Sequence, residues 1–182
     1  MTQDVVMAGF GGQGLMAIGK ILAKAAMQEG RHVTWLPSYG PEMRGGTANC
    51  VVVIDDEPVA SPVVQHAHAA IVMNKQSIDK FEPTLMAGGL LVINTSLIDR
   101  PPQRTDLRVV ELAANAVAEA AGSEKSANMV MLGAYIGASG VVSEAAVAHA
   151  IEVNFAGKQA VAASALEAYR RGCELGRAAT AG

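Results

Sequence analysis

The sequence predicts one α/β domain over residues 1–182, with three layers, a mixed but mostly parallel sheet, helices on both faces and a helical C-terminal third. Three observations indicate this class. The chain has 182 residues, the size of one ordinary domain. Short apolar runs typical of buried strands alternate with segments of helical periodicity. From Ala113 onward the periodicity is helical throughout.

The N-terminal segment predicts a strand–helix–strand unit. Residues 5–8 form an apolar run expected to be the first strand, and apolar residues at helical spacing follow from Leu15. Gly30 suits the end of that helix, and residues 32–36 read as a second strand. A right-handed unit of this kind makes the predicted domain Rossmann-like.

The third strand, over 47–55, is expected to run antiparallel to its neighbour. The link before it has roughly ten residues and is rich in Pro and Gly, too short for a parallel crossover. Further strands are expected over 69–73, 90–93 and 107–112, with a short helix near 75–81. The last third predicts helices at roughly 113–121, 126–138, 143–153 and 157–176, with Ser143 as an N-cap.

Composition excludes several classes of protein. With 51% hydrophobic and 17% charged residues, the chain is not disordered, and a net charge of −3 gives no basic excess for nucleic acid. So few charges favour a subunit that needs a partner. The longest apolar stretch, 129–142, is interrupted by glycines and is too short to span a membrane, and no signal peptide is recognisable. We expect a cytoplasmic protein.

The two cysteines, Cys50 and Cys173, are expected to be small buried hydrophobic residues. They match no metal-ligand spacing, and an iron–sulfur cluster normally needs four cysteines. The chain by itself is therefore not expected to hold a cluster or a metal.

Polar and glycine-rich segments follow the strands expected to be parallel. The carboxyl ends of such strands meet at one edge of the sheet, where α/β proteins bind ligands. No catalytic residue is expected. The candidate binding residues at this edge are Gly9, Phe10, Gly11, Gly12, Gln13, Gly14, Ser38, Tyr39, Glu42, Arg44, Lys75, Asn94 and Thr95.

The loop over residues 9–14 has the Gly-x-Gly-x-x-Gly pattern between a strand and a helix. Such a loop lets peptide N–H groups approach a phosphate at a helix N-terminus. A dinucleotide site would place an acidic residue at the end of the second strand, but residues 35–38 read Trp-Leu-Pro-Ser. Two alternatives to a dinucleotide site therefore stay open. The loop could bind another phosphate-bearing ligand, or it could pack tightly against a partner subunit.

The segment over residues 38–46 carries one acid and one base, Glu42 and Arg44, between glycine-containing turns. Glycines on both sides indicate constrained backbone angles or the close approach of another chain. A solvent-exposed loop with a surface ion pair is the alternative, and Tyr39 could equally pack within the loop.

These motifs together resemble the gamma subunit of the 2-oxoacid:ferredoxin oxidoreductases, of the 2-oxoglutarate or branched-chain type. The resemblance rests on Gly-Phe-Gly-Gly-Gln-Gly at 9–14 and Ser-Tyr-Gly-Pro-Glu-Met-Arg-Gly-Gly-Thr at 38–47. It extends to Asp-Glu-Pro-Val-Ala-Ser-Pro at 56–62, Asn-Lys at 74–75 and Asn-Met-Val-Met-Leu-Gly-Ala at 128–134. It covers about residues 3–178.

The resemblance implies the oxidation of a 2-oxoacid with coenzyme A and ferredoxin to acyl-CoA and carbon dioxide. It implies alpha, beta and ferredoxin-like delta subunits that carry thiamine diphosphate, Mg²⁺ and [4Fe–4S] clusters, while this chain closes the active site. Residues 11–14 would hold phosphates of coenzyme A, in a site shared with those subunits, and Arg44 would face the substrate-bearing subunits. Lys75 is included because it follows a strand at the same sheet edge, and not because of the resemblance.

Two other functions remain open from the residues alone. One is a free-standing oxidoreductase that binds a nucleotide in the glycine-rich loop, and the other is a structural interaction module. Self-association of the isolated chain also stays open, since an Ala- and Met-rich surface without its partners often pairs with itself.

Overall fold

A computed structural model describes residues 1–38 and 47–181. Within them the chain forms six strands and six α-helices in the order β1, α1, β2, β3, β4, α2, β5, β6 and α3–α6. The strands are Gln3–Phe10, His32–Ser38, Thr47–Asp55, Ala67–Val72, Leu85–Asn94 and Arg108–Leu112. The helices are Leu15–Gln28, Lys75–Phe81, Ala114–Ala120, Ala127–Ser139, Glu144–Asn154 and Gln159–Thr180.

The sheet has the order β2-β3-β1-β4-β5-β6. Strands β1, β4, β5 and β6 run parallel, whereas β3 is antiparallel to both β1 and β2. The antiparallel third strand expected from its short, Pro- and Gly-rich link is therefore confirmed. Because β3 reverses direction between them, β2 points the same way as β1, and both end at the same edge of the sheet.

The two faces of the sheet are covered unequally. One face packs against α1 and the C-terminal helices around fully buried Met7, Ile18 and Tyr135. The other face packs against the short helix α2 through buried Ile78, with Val6 and Ile93 beneath it. The three layers and the helical C-terminal third agree with the sequence prediction.

Strand β5 begins five residues earlier than the apolar run at 90–93 indicates. It starts at Leu85, and its register against β4 shifts between Ala67 and Ala69. The irregularity is built on two glycines: Gly88 has a φ of 75°, and a Cβ on Gly89 would lie 2.8 Å from the Met86 carbonyl oxygen. The two glycines thus form a bulge inside the strand.

Helices α4 and α6 touch backbone to backbone. Gly133 and Gly137 of α4 lie against the backbone of Tyr169 and Cys173, and Gly172 and Gly176 of α6 lie against the backbone of Val130 and Ala134. A Cβ on any of the four glycines would overlap the backbone of the opposite helix. This contact fixes α4 against α6, and the N-terminus of α4 in turn lies at the carboxyl edge of the strands.

A buried carboxylate holds the connection between β5 and β6 to the rest of the domain. Glu82 is 1% exposed, and its Oε1 accepts the backbone N–H groups of Gln103 and Arg104. Its Oε2 lies 3.0 Å from the Arg100 guanidinium, which also bonds Asp79. The buried Glu82 carboxylate therefore has both a cationic partner and hydrogen-bond donors.

No helix within residues 1–38 and 47–181 is both long enough and apolar enough to cross a membrane.

Candidate functional site

The glycine-rich loop after β1 is closed by its own glutamine. The Phe10 N–H donates to Gln13 Oε1 at 2.6 Å, and Gln13 Nε2 donates to the Met73 carbonyl at 3.4 Å. A Cβ on Gly9 would overlap Gln13 Oε1 and would lie 3.0 Å from Met73 Cβ. Gly9 therefore leaves room for Gln13 to fold back and join the ends of the adjacent strands β1 and β4.

Helix α1 begins at this loop with an uncapped N-terminus. Gly14 is its N-cap, with a φ of 75° and no side chain to accept the first N–H groups. The first intrahelical bond is from the Ile18 N–H to the Gly14 carbonyl, so the N–H groups of residues 15–17 have no acceptor within the helix. These donors and the positive end of the helix dipole suit an anion.

Asn128 joins this helix end to the start of α4. Its Nδ2 donates to the Gly14 carbonyl at 3.1 Å, and its Oδ1 accepts the Met129 N–H at 3.0 Å. A Cβ on Gly14 would overlap the Asn128 amide nitrogen. Glycine at position 14 is thus required by its backbone angle and by the approach of Asn128.

A pocket of about 430 Å³ opens between the loop and the C-terminal part of the chain. Gly12 and Gln13 line one side, and the far side is formed by η2 (Glu124–Ser126, one 3₁₀ turn), the start of α4 and helix α3. The lining residues are Gly12, Gln13, Met73, Leu97, Asn115, Glu124, Lys125, Ala127 and Asn128. A smaller hollow of about 250 Å³ on the other side of the loop involves Phe10, Gly11 and Gly14.

Asn94 is a buried residue that supports one side of the pocket. It is fully buried, and its Oδ1 accepts the N–H groups of Ser96 and Ala114, each at 3.1 Å. Its Nδ2 donates to Asn115 Oδ1 at 2.9 Å, and Asn115 lines the pocket. Asn94 therefore links the end of β5 to α3 and orients a pocket residue.

The structure brings together only part of the predicted set. Residues 10–14 line the two hollows and Gly9 lies outside both, whereas Lys75 and Thr95 are exposed on the same edge outside the pocket lining. Ser38 ends β2 at this edge, two strands away from β1. Tyr39, Glu42 and Arg44 lie outside the described residues.

Sequence reasoning missed the far side of the pocket. Lys125 supplies a cation and Glu124 an anion, and Asn115 and Asn128 supply amides. Asn128 lies 114 residues from Gly14 along the chain. Its segment was recognisable only as part of the family resemblance, and nothing in the local pattern assigned it to the binding edge.

Cys50 lies beneath the start of α1 as a packing group. Its Sγ is 3.5 Å from the Leu15 carbonyl, and burial raises the pKa of the thiol to about 12. Cys173 is buried as well. The prediction that both cysteines are buried is confirmed.

Known proteins resemble this chain over nearly its whole length. Ketoisovalerate oxidoreductase subunit VorA of Methanothermobacter marburgensis is 37% identical over 175 residues, covering 95% of this chain and 36% of VorA. The chain thus spans about a third of the length of that relative. The 2-oxoglutarate synthase subunit KorC of the same organism is 36% identical over 159 residues, covering 84% of this chain and 86% of KorC.

A solved structure has the same fold. The gamma subunit of a keto/oxoacid ferredoxin oxidoreductase from Geobacter sulfurreducens superposes with a TM-score of 0.84 and 29% identity, covering 97% of this chain and 99% of that subunit. The model of the family described as pyruvate ferredoxin/flavodoxin oxidoreductase matches residues 4–175. The chain therefore belongs to the pyruvate ferredoxin/flavodoxin oxidoreductase family.

Proposed function

We propose that this chain is the gamma subunit of a thiamine-dependent 2-oxoacid:ferredoxin oxidoreductase. One observation carries the proposal: the chain and the Geobacter sulfurreducens gamma subunit correspond end to end. The complex would oxidise a 2-oxoacid by two electrons, release carbon dioxide and pass the acyl group to the coenzyme A thiol. Two equivalents of oxidised ferredoxin would accept the electrons.

Within that complex, the redox groups belong on other subunits. We assign thiamine diphosphate, Mg²⁺ and the [4Fe–4S] clusters to alpha, beta and delta subunits and the working location to the cytoplasm. The cysteine content supports this division, because the chain has two cysteines in all and both are buried. A [4Fe–4S] cluster held by one chain would require four accessible thiolates.

For its own part, the chain would bind phosphates of coenzyme A at the N-terminus of α1. The uncapped N–H groups of residues 15–17 supply donors beside the smaller hollow, which Leu15 and Met16 line, and Lys125 supplies a cation in the larger pocket on the other side of the loop. At Gly12, φ is 89° and no other group lies within 4 Å of where a Cβ would stand, so a phosphate has open access to the loop. Binding here would place the coenzyme without this chain taking part in bond breaking.

The first test is a tagged purification of the chain from its own cells under anaerobic conditions. A brown eluate with two or three partner chains, bleached by a 2-oxoacid plus coenzyme A, is expected. A colourless single chain that binds NAD(P)H would instead mean that the glycine-rich loop is a free-standing nucleotide site. A colourless assembly without turnover would favour the structural module.

The coenzyme A assignment has a matched pair of variants. Gly12 and Gly30 have φ angles of 89° and 76°, and neither would bring a Cβ within 4 Å of another group. Alanine at either position carries a similar backbone strain, about 1 kcal/mol. Gly12→Ala should raise the KM for coenzyme A of the assembled complex, whereas Gly30→Ala should leave it unchanged. Equal KM values in both variants would remove the phosphate role from the loop.

A further inference from the structure

We propose that Asn128 is a positioning residue that holds the Gly14 end of α1, and with it the glycine-rich loop, in place beside the pocket. The inference rests on the proposed function and deepens it, because it concerns the same pocket. Asn128 is 7% exposed, belongs to α4 and lies across the chain from the glycine-rich loop.

The orientation of the Asn128 amide follows from its two hydrogen bonds. Oδ1 accepts the Met129 N–H at 3.0 Å, so Nδ2 is the atom that faces the Gly14 carbonyl at 3.1 Å. The same carbonyl accepts the Ile18 N–H at 3.2 Å. The Gly14 carbonyl therefore has two donors, one from its own helix and one from α4, and its direction is set by both.

The hydrogen bond from Asn128 to Gly14 connects helix α4, which is rigidly held, to the N-terminal end of α1, which has no side-chain cap. Helix α4 is buried along most of its length and meets α6 backbone to backbone, so Asn128 is held in place. The Gly14 end of α1 has no side-chain cap of its own. Asn128 thus anchors this helix end by donating to the Gly14 carbonyl, and it leaves the N–H groups of residues 15–17 without an acceptor within the helix.

Two substitutions separate positioning from stability. Asn128→Ala removes the donor, whereas Asn128→Asp keeps the shape but places a carboxylate against the Gly14 carbonyl. Near the start of α4 a carboxylate is favourable for that helix, so Asn128→Asp should preserve its folding better than Asn128→Ala. At the pocket the same charge opposes a phosphate.

The experiment measures steady-state kinetics of the complete complex carrying each variant, with coenzyme A and the 2-oxoacid varied separately. We expect a rise of about tenfold in the KM for coenzyme A in Asn128→Ala, because a displaced loop should lose the equivalent of about one hydrogen bond to the phosphate. Asn128→Asp should give a larger rise. The KM for the 2-oxoacid should stay within about twofold.

Ser143→Ala is the control for general destabilisation. Ser143 Oγ accepts the Ala146 N–H at 3.2 Å as the N-cap of α5, and it does not line the pocket. Its removal should lower the free energy of unfolding without changing the KM for coenzyme A. A KM that moves in this control as it does in Asn128→Ala would overturn the proposal.

Failure of this inference is distinct from failure of the proposed function. If the wild-type complex turns over with coenzyme A and both Asn128 variants keep its KM within twofold, positioning by Asn128 is refuted and the gamma-subunit assignment stands. Loss of assembly in both variants would make Asn128 a structural residue and would also refute positioning. A wild-type chain without partners or turnover would refute the proposed function itself.

Discussion

The contact between α4 and α6 predicts that Gly172→Ala destabilises the domain, although alanine is the better helix former. A Cβ at position 172 would lie 2.9 Å from the Val130 carbonyl carbon and 3.0 Å from the Ala134 nitrogen, and closer still to the Val130 oxygen. Ordinary carbon contacts begin near about 3.5 Å. The helices would have to separate by at least about half an ångström, and neither backbone has a flexible end that could move aside.

The magnitude follows from two opposing effects. Overpacking of a tight contact costs up to about 3 kcal/mol, and replacing a helical glycine by alanine returns about 1 kcal/mol. The net loss is about 2 kcal/mol, which lowers the Tm of a domain of this size by about 6 °C. Thermal and urea unfolding of the purified chain, followed by circular dichroism, measures both quantities.

Ala163→Gly provides the matched control on the same helix. Ala163 is exposed in α6, so its replacement by glycine reports helix propensity alone and should cost about 1 kcal/mol. If propensity alone governed α6, Gly172→Ala would raise the Tm. A Tm equal to or above that of the wild type would therefore refute the close contact between the two helices.

Three further predictions concern groups away from the pocket. Glu82→Gln should cost about 2 kcal/mol in urea unfolding, because it removes the buried charge that pairs with half-buried Arg100 and accepts two backbone N–H groups, while Arg100 keeps Asp79; a loss below about 0.5 kcal/mol would contradict this. Burial raises the pKa of the Cys50 and Cys173 thiols to about 12 and about 11, above their unfolded values, so stability should fall as pH rises from about 9 to 11. At pH 8 both thiols should react with a thiol reagent only after unfolding, and fast labelling of the native chain would disprove their protonated, buried state. Ser143→Ala should lower the free energy of unfolding by about 1 kcal/mol, and an unchanged urea midpoint would remove its capping role.

Local sequence pattern was sufficient to predict most strands and helices and the glycine-rich loop of the candidate site. Apolar runs and helical spacing placed β1, α1 and β2, and the short link before β3 was enough to predict its antiparallel direction. The glycine-rich loop was recognisable because its proposed role depends on backbone freedom at residues that are adjacent in sequence. Binding roles for Tyr39, Glu42 and Arg44 stay predictions.

Other features were beyond local pattern. The bulge in β5 depends on the register of a neighbouring strand, and the buried position of Asn94, expected only as a candidate binding residue, depends on α3, which supplies two of its three partners. Gly133 and Gly172 look like helix-weakening residues until the two helices are placed together. In each case the structural role of the residue depends on the strand or helix that packs against it.

The sequence by itself determined the order of the elements, the glycine-rich turn and the absence of a cluster-forming set of cysteines, because each is a property of composition or of neighbouring residues. Only the tertiary structure brought Lys125 and Asn128 to the loop, across more than a hundred residues. The reason is physical: the periodicity of a segment reports which of its faces is buried, whereas the partner on that face is selected by the packing of the whole chain.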